Sequence, residues 1–289
     1  MRFAFLLLVL VSTLKGWSQY QPWKNIEPGV YQFRGLFPPL RNTFLVEVGK
    51  DGYFLINTPF NSPDQAAMMN SIRTDFPGKK LKALFVLEND YASAAGAFLV
   101  TSALGKVPVY AASNLDFSEE EKLDYLSKNP KNQEAGKLPP PLSSNKSFAF
   151  QFGKLTLKSF GGNCGEPSFY ISVQPSGTLF GPTKWLEMPF PISNSWTYKS
   201  MISNYQQLLS QNPSRIFGGL SSEPFPKYRV WEMLRNWEAW KADYDERKKE
   251  KMTLEEFRKS MEQRKNLYPW VPNGEKSLEI LWKIGLKAL

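Results

Sequence analysis

The apolar positions fall into short runs that change period along the chain. Gly29-Val30-Tyr31-Gln32-Phe33-Arg34 alternates with period two, as a half-buried strand does. Thr43 to Val48 predicts a second strand, Asp51-Gly52 a tight hairpin, and Tyr53 to Ile56 a third, more continuously apolar strand. That strand runs out at Asn57-Thr58-Pro59. Ser62 followed by Pro63 opens a helix that Pro77-Gly78 stops. Leu81 to Leu87 is the next strand, and its end carries Glu88 and Asp90. The small residues Ala92, Ser93, Ala94, Ala95, Gly96 and Ala97 open a helix reaching Leu104, shaped for close approach to a sheet. Val107 to Tyr110 is a further short strand. This alternation of strand, helix, strand, helix and strand predicts a sheet with a parallel part.

The pattern then begins again. Ser118-Glu119-Glu120-Glu121 starts a helix, and Asn129 to Asn145, with Pro139-Pro140-Pro141, is a long loop. Strands follow at Phe148 to Phe152, Leu155 to Phe160, Ser168 to Val173 and Thr178 to Phe180. A helix from Trp196 to Ser210 leads to a strand at Arg215-Ile216-Phe217, which ends in Gly218-Gly219. Two halves of the same form, strands then helices, predict two mixed sheets face to face with helices outside. The fold class is α/β of the α+β type, a four-layer αββα sandwich with C-terminal helices added. Val230, Met233, Trp237, Trp240 and Tyr244 share one helical face, which packs on the body of the protein. Glu246 to Lys251 reads as a solvated charged face or bend, and Thr253-Leu254-Glu255-Glu256 as a capping box opening a last helix.

The first residues modify this picture. Met1-Arg2, the apolar run Phe3 to Val11 and the small residues Gly16 and Ser18 form a signal peptide, residues 1–18, cut near Ser18–Gln19. The run is too short to span a membrane, so the expected destination is periplasmic or secreted. Arg2 and Lys15 leave with the signal, taking the net charge from +9 to +7. That charge permits weak attraction to anionic surfaces. Lys and Arg are interleaved with Asp and Glu, without a basic stripe carrying aromatics, so nucleic acid is not expected as a partner. The partner is an unspecified small molecule or protein.

The chemically decisive count is histidine, at zero. Histidine is the commonest transition-metal ligand and the usual general base near neutral pH. Its absence removes Ser-His-Asp triads, Cys-His dyads and histidine-zinc sites together. The single cysteine, Cys164, has no disulfide partner in the chain and reads as a small structural residue.

The order of these pieces, from Gly29 to Ser221, resembles the metallo-β-lactamase fold of αββα hydrolases. Gly52-Tyr53-Phe54-Leu55-Ile56-Asn57-Thr58 is similar to the family's strand ending in Ile-Asp-Thr. Val86 to Gly96 is similar to the segment carrying H-x-H-x-D-H. Gly161-Gly162-Asn163-Cys164, Ser176 to Gly181 and Phe217-Gly218-Gly219 resemble the later ligand turns. The resemblance implies residues 19–222 as the domain and 223–289 as a helical extension packed on it. It also implies metal-assisted hydrolysis by one or two zinc ions. Carried over by position, Glu88, Asp90 and Ser93 stand where histidines belong, and Ala92 where the aspartate belongs. Asn163, Pro182 and Gly219 fall at the later ligand positions, and Asn57 replaces the early aspartate. These eight are vestigial ligand positions; no catalytic residue is assigned and no zinc is expected.

Three readings remain open from the residues. The first is a non-catalytic exported protein of this fold that keeps the pocket for binding or supports a partner. The second is a hydrolase with a rebuilt oxygen site, in which Glu88, Asp90, Ser93, Asn57 and Asn163 hold Ca²⁺ or Mg²⁺; the plainer account of Glu88 and Asp90 is a strand end salt-bridged to an Arg or Lys. The third is a basic surface-binding module using Trp237 and Trp240. Trp185 to Pro191 is either an apolar pocket mouth or a loop sealing the core edge.

Overall fold

The computed structural model of the chain describes residues 22–36, 41–59, 62–87, 91–111, 120, 123–124, 127, 148–152, 155–161, 169–182, 197–220, 223–249 and 253–263. Six strands form the first sheet in sequence order. They are β1 (Trp23–Glu27), β2 (Val30–Arg34), β3 (Asn42–Val48), β4 (Gly52–Ile56), β5 (Lys80–Val86) and β6 (Val109–Ala111). The first four pair antiparallel, and β4, β5 and β6 pair parallel. The parallel part is made by two crossovers, through α1 (Ser62–Asp75) and α2 (Tyr91–Leu104).

The second sheet has five strands, β7 (Phe148–Phe152), β8 (Leu155–Gly161), β9 (Phe169–Gln174), β10 (Thr178–Phe180) and β11 (Arg215–Phe217), in the order β11-β10-β9-β8-β7. It is mixed too, because β10 and β11 pair parallel across α3 (Tyr198–Ser210). α4 (Lys227–Lys249) and α5 (Leu254–Gln263) follow.

The buried side chains sort into three layers, and the layers define the sandwich. Phe33, Leu45, Tyr53, Leu55, Leu84 and Val86 point outward from the first sheet and meet Met68, Ile72, Ala97 and Val100 of α1 and α2. Phe44, Val46, Phe54, Ile56, Ala83 and Phe85 occupy the opposite face of the same strands and meet Ile171, Val173, Phe180 and Phe217 of the second sheet. Alternation along each strand thus splits one apolar run between two cores, which is why β3, β4 and β5 are buried on both faces. Tyr170, Leu179 and Ile216, on the outer face of the second sheet, are covered by Tyr198, Met201 and Tyr205 of α3 and by Val230, Leu234, Trp237 and Trp240 of α4. The architecture is therefore the expected α/β sandwich of four layers, helix, sheet, sheet and helix.

Differences from the sequence reading are local. β1 was not expected, because Trp-Lys-Asn-Ile-Glu lacks an apolar alternation. It is an edge strand burying only Trp23, whose indole donates to Ser71 Oγ at 2.8 Å, and its register breaks between Asn25 and Glu27. α4 runs on through Glu246 to Lys249, so of the charged face or bend expected there the charged face holds to that point; charged residues of both signs are good helix formers and leave the helix intact when solvated. The third reading's aromatic face is corrected as well. Trp237 and Trp240 are each 1% exposed, so neither is offered to a surface. Of the helix expected from Ser118, the described residues 120, 123–124 and 127 are helical, while Ser118 itself lies outside the described residues. The signal peptide, the loop at 129–145, Cys164 and the Trp185 to Pro191 segment also lie outside them.

Candidate functional site

The strand ends that would carry chemistry lie at one end of the sandwich, where β4 and β5 stop and β3 begins. β4 terminates at Asn57, whose φ of 63° is in the left-handed region that asparagine tolerates better than most residues. That turn puts the residue to structural use. Its backbone N–H donates to Phe85 O at 2.7 Å, and its side-chain Oδ1 accepts from Leu87 N at 2.9 Å. Asn57 therefore extends the parallel β4–β5 ladder by one residue with its own side chain. It is 1% exposed, and its Nδ2 is buried without a hydrogen-bond partner.

α2 approaches this end because its first turns are small. A Cβ on Gly96 would lie 2.3 Å from Thr58 Oγ1 and 2.9 Å from Gln65 Nε2. Thr58 Oγ1 donates to Ser93 O at 3.4 Å, and Gln65 Nε2 to Pro59 O at 3.0 Å. Ser93 is fully buried, and its Oγ accepts a hydrogen bond from the Arg41 guanidinium, across 52 residues of sequence. Arg41 itself is fixed by the turn between β2 and β3, where Gly35 N donates to its carbonyl at 3.2 Å. The first turn of α1 closes the same corner, with buried Asp64 accepting from Leu36 N at 2.8 Å.

The second sheet joins through Asn42. Its backbone N–H donates to Gly219 O at 2.6 Å, and its Nδ2 to Gly218 O at 3.4 Å. Buried Pro182 follows directly on Gly181, whose N–H donates to Phe217 O at 3.0 Å. A polar chain thus links three of the positions the resemblance singled out: Gly219 to Asn42, neighbouring Arg41 to Ser93, and Ser93 through Thr58 to Asn57. Pro182 sits beside the end of β11. Ala92 lies in the first turn of α2. Glu88, Asp90 and Asn163 lie outside the described residues.

Sequence reading missed Arg41, Asn42, Thr58, Asp64 and Gln65 as parts of this end. The signal available was positional: Arg41-Asn42 immediately precede a strand whose start faces the site.

The resemblance drawn from the sequence implies zinc, and the described donor set does not fit it. Asn57's oxygen is committed to Leu87 N–H, leaving an amide nitrogen, which donates and does not ligate. Ser93 Oγ is committed to a guanidinium, whose permanent charge opposes a dication at short range. Gly219 O is taken by Asn42. Among the described residues no three His, Cys, Asp or Glu side chains cluster at metal-binding distance. The same two commitments, at Asn57 and Ser93, weaken the oxygen-ligand site for Ca²⁺ or Mg²⁺.

Asn57 is the position whose substitution reads most directly. Asn57→Ala leaves Leu87 N–H without its acceptor and places an alanine at positive φ, with an expected loss of about 2–3 kcal/mol. Asn57→Gly keeps the backbone conformation and is expected to recover about 1 kcal/mol of that loss. Urea unfolding of the three proteins separates the two contributions.

No family model matches the chain, and no curated protein matches it. Its structure is similar to that of a metallo-β-lactamase from Pontibacter korlensis, with a TM-score of 0.55 and 15% identity over 75% of this chain and 98% of that one. It is similar to DIM-1 metallo-β-lactamase exposed to ceftazidime, with a TM-score of 0.56 and 14% identity over 75% of this chain and 96% of that one. A second DIM-1 structure gives 0.55 and 15% over the same shares. Two mixed sheets flanked by helices agree with these likenesses: the chain has the metallo-β-lactamase fold.

Proposed function

We propose that this is an exported, non-catalytic protein of the metallo-β-lactamase fold, with residues 19–222 as its domain and 223–289 as a helical extension, acting as a binding or accessory protein. The observation that carries the reading is the hydrogen bond from the Arg41 guanidinium to Ser93 Oγ, at a position where the resemblance expects a zinc-binding histidine. In a metal site, the ion ties together loops from several strand ends. Here Arg41–Ser93, Asn42–Gly219 and Asn57–Leu87 make those ties with hydrogen bonds. A tethered cation of fixed charge supplies the positive centre but has no exchangeable water to activate, so the zinc route to a hydroxide nucleophile is lost. Zero histidine in the sequence removes the usual replacement base. The Phe3 to Val11 run with the small residues Gly16 and Ser18 supports the reading of export.

The test is elemental analysis of mature protein purified from zinc-supplemented cells, with thermal unfolding in zinc, calcium and magnesium. The expected result is zinc far below one per chain after dialysis, and a midpoint that none of the three ions raises. One retained zinc per chain, or metal-dependent hydrolysis of a β-lactam, thioester or phosphodiester, overturns the reading. Fractionation of producing cells tests export, with the mature N-terminus expected at Gln19.

A further inference from the structure

The fold assembles a basic patch that the order of residues along the chain hides. Lys50, Lys80, Lys82 and Lys106 belong to three separate segments and are interleaved in sequence with acids such as Asp51 and Asp75. In the folded chain they meet around the start of β5. Lys50 lies in the β3–β4 hairpin, and Lys80, which opens β5, pairs in register with Gly52, the first residue of β4. Lys82 is the extra residue of a bulge, since Tyr53 pairs with Leu81 and Phe54 with Ala83. Its stem lies across Gly52, where a Cβ would stand 2.7 Å from Lys82 Cε. Lys106 comes in on the other side of β5. Pro108 O accepts from Leu84 N at 3.1 Å, which sets the residues before Pro108 beside the first half of that strand.

All four lysines are exposed. Among the described residues none of them has a carboxylate partner. Lys24, Lys79 and Lys241, by contrast, are bridged to Glu223, Glu47 and Asp245. Glu47, in the strand before the hairpin, is thus already neutralised. Asp51 in the hairpin and Asp75 at the end of α1 are the other acids close in sequence, so positive charge is in excess at this end.

An excess of unpaired ammonium groups is relieved by an anionic partner. Tyr53 and Phe76, the aromatic side chains nearest in sequence, are 1% and 6% exposed, so they offer no stacking platform for bases or sugars. Lysine is a hydrated point charge on a flexible stem, which suits a diffuse layer of phosphates better than one precisely held anion. We infer that this end of the first sheet docks on an anionic phospholipid surface. β5 runs from Lys80 at the patch to Val86 at the strand-end site, about 20 Å at ~3.3 Å per residue. Docking therefore turns the strand-end site away from the membrane. The inference uses none of the residues of that site and stands apart from what the site does.

Co-sedimentation of the mature chain with vesicles tests this, using phosphatidylcholine alone and phosphatidylcholine mixed with phosphatidylglycerol. Binding is expected only to the mixed vesicles, and is expected to be lost in high salt, where the screening length falls to about 3 Å at 1 M. A lysine close to an anionic membrane is worth about fivefold in affinity, so each of Lys50→Gln, Lys80→Gln, Lys82→Gln and Lys106→Gln is expected to weaken binding about fivefold, and the four together a hundredfold or more. Lys199→Gln with Lys259→Gln, exposed positions on α3 and α5, is the control for net charge and is expected to leave binding nearly unchanged. An unchanged thermal midpoint checks that the variants are folded. Equal binding to neutral vesicles, a control pair that weakens binding as much as the four-lysine variant, tighter binding to soluble heparin than to the mixed vesicles, or no binding at all overturns the inference.

Discussion

Replacing Trp240 with alanine is expected to cost about 3–5 kcal/mol of stability, the range for removing a fully buried aromatic side chain. Trp240 is 1% exposed and lies between α4, α3 and α5. Its ring meets Phe257 edge-on at a centroid distance of 5.8 Å, and its indole N–H donates to the Tyr198 hydroxyl. Burial pushes the Tyr198 hydroxyl well above its usual pKa, so it stays neutral and serves as an acceptor across the accessible pH range. The alanine variant thus opens a cavity and removes the indole donor from a buried hydroxyl, two costs with the same sign. For a chain of this size the loss corresponds to a fall in Tm of roughly 10 °C.

The shape of that transition carries as much as its position. α4 is pinned at its entry by Phe225 N donating to Ile216 O at 2.5 Å, and its buried face continues the core over the second sheet. One shifted transition is therefore expected, with secondary structure and tryptophan fluorescence moving together. A separate early transition would show that the C-terminal helices unfold on their own. Trp231→Ala on the same helix is the control: at 47% exposure it is expected to change stability by less than about 0.5 kcal/mol. The contrast also settles the fate of the aromatic face read from sequence. Spacing of three and four identified Val230, Trp237, Trp240 and Tyr244 as one stripe, and the stripe is a core contact.

Most of the fold was written locally, and most of the site was not. Strands β2, β3, β4 and β5 announce themselves by alternation and by the turns between them, and α2 by its run of small residues. Gly96, 2.3 Å from Thr58 Oγ1 by the position of an added Cβ, explains why that run must be small. β1 was missed because an edge strand needs only one buried side chain, and period carries no signal there. The site differs in kind. Asn57 could be located from sequence because it ends an apolar strand. Its role could not, because the ladder bond to Leu87 depends on a left-handed turn that sequence does not report. Arg41 was invisible for another reason. A lone arginine before a strand is common, and its contact with Ser93 joins segments 52 residues apart. The Arg or Lys partner that the sequence reading gave Glu88 and Asp90 is a separate matter, because those two lie outside the described residues. The packing of the β2–β3 turn against α2 brings Arg41 to Ser93.

Phe44→Ala is expected to cost a similar amount, about 3–5 kcal/mol, for a different reason. Phe44 is the first apolar side chain of β3 on the face toward the second sheet, two residues after Asn42. Its ring lies 4.5 Å from Phe180 and 5.4 Å from Phe217, the final residues of β10 and β11. Those strands lead directly into Pro182 and into Gly218-Gly219. The three rings therefore set the spacing of the sheets at the end where Asn57, Ser93, Pro182 and Gly219 lie, and the Asn42 bonds to Gly218 and Gly219 depend on that spacing. With alanine at 44, the cavity lies between two sheets that each hold together by their own ladders, so collapse around it means movement of one sheet toward the other. Phe44→Leu keeps most of the volume and is expected to lose about 1.5 kcal/mol or less. Guanidinium unfolding measures both, with the midpoint shifted and the slope unchanged if the native state stays compact. Amide exchange at Asn42, whose N–H donates to Gly219 O, reports the local consequence. Exchange accelerated in Phe44→Ala beyond its global loss of stability means that ring packing holds this end of the sandwich closed. Exchange that merely tracks global stability means the hydrogen bonds of Asn42 and Arg41 hold it without the rings.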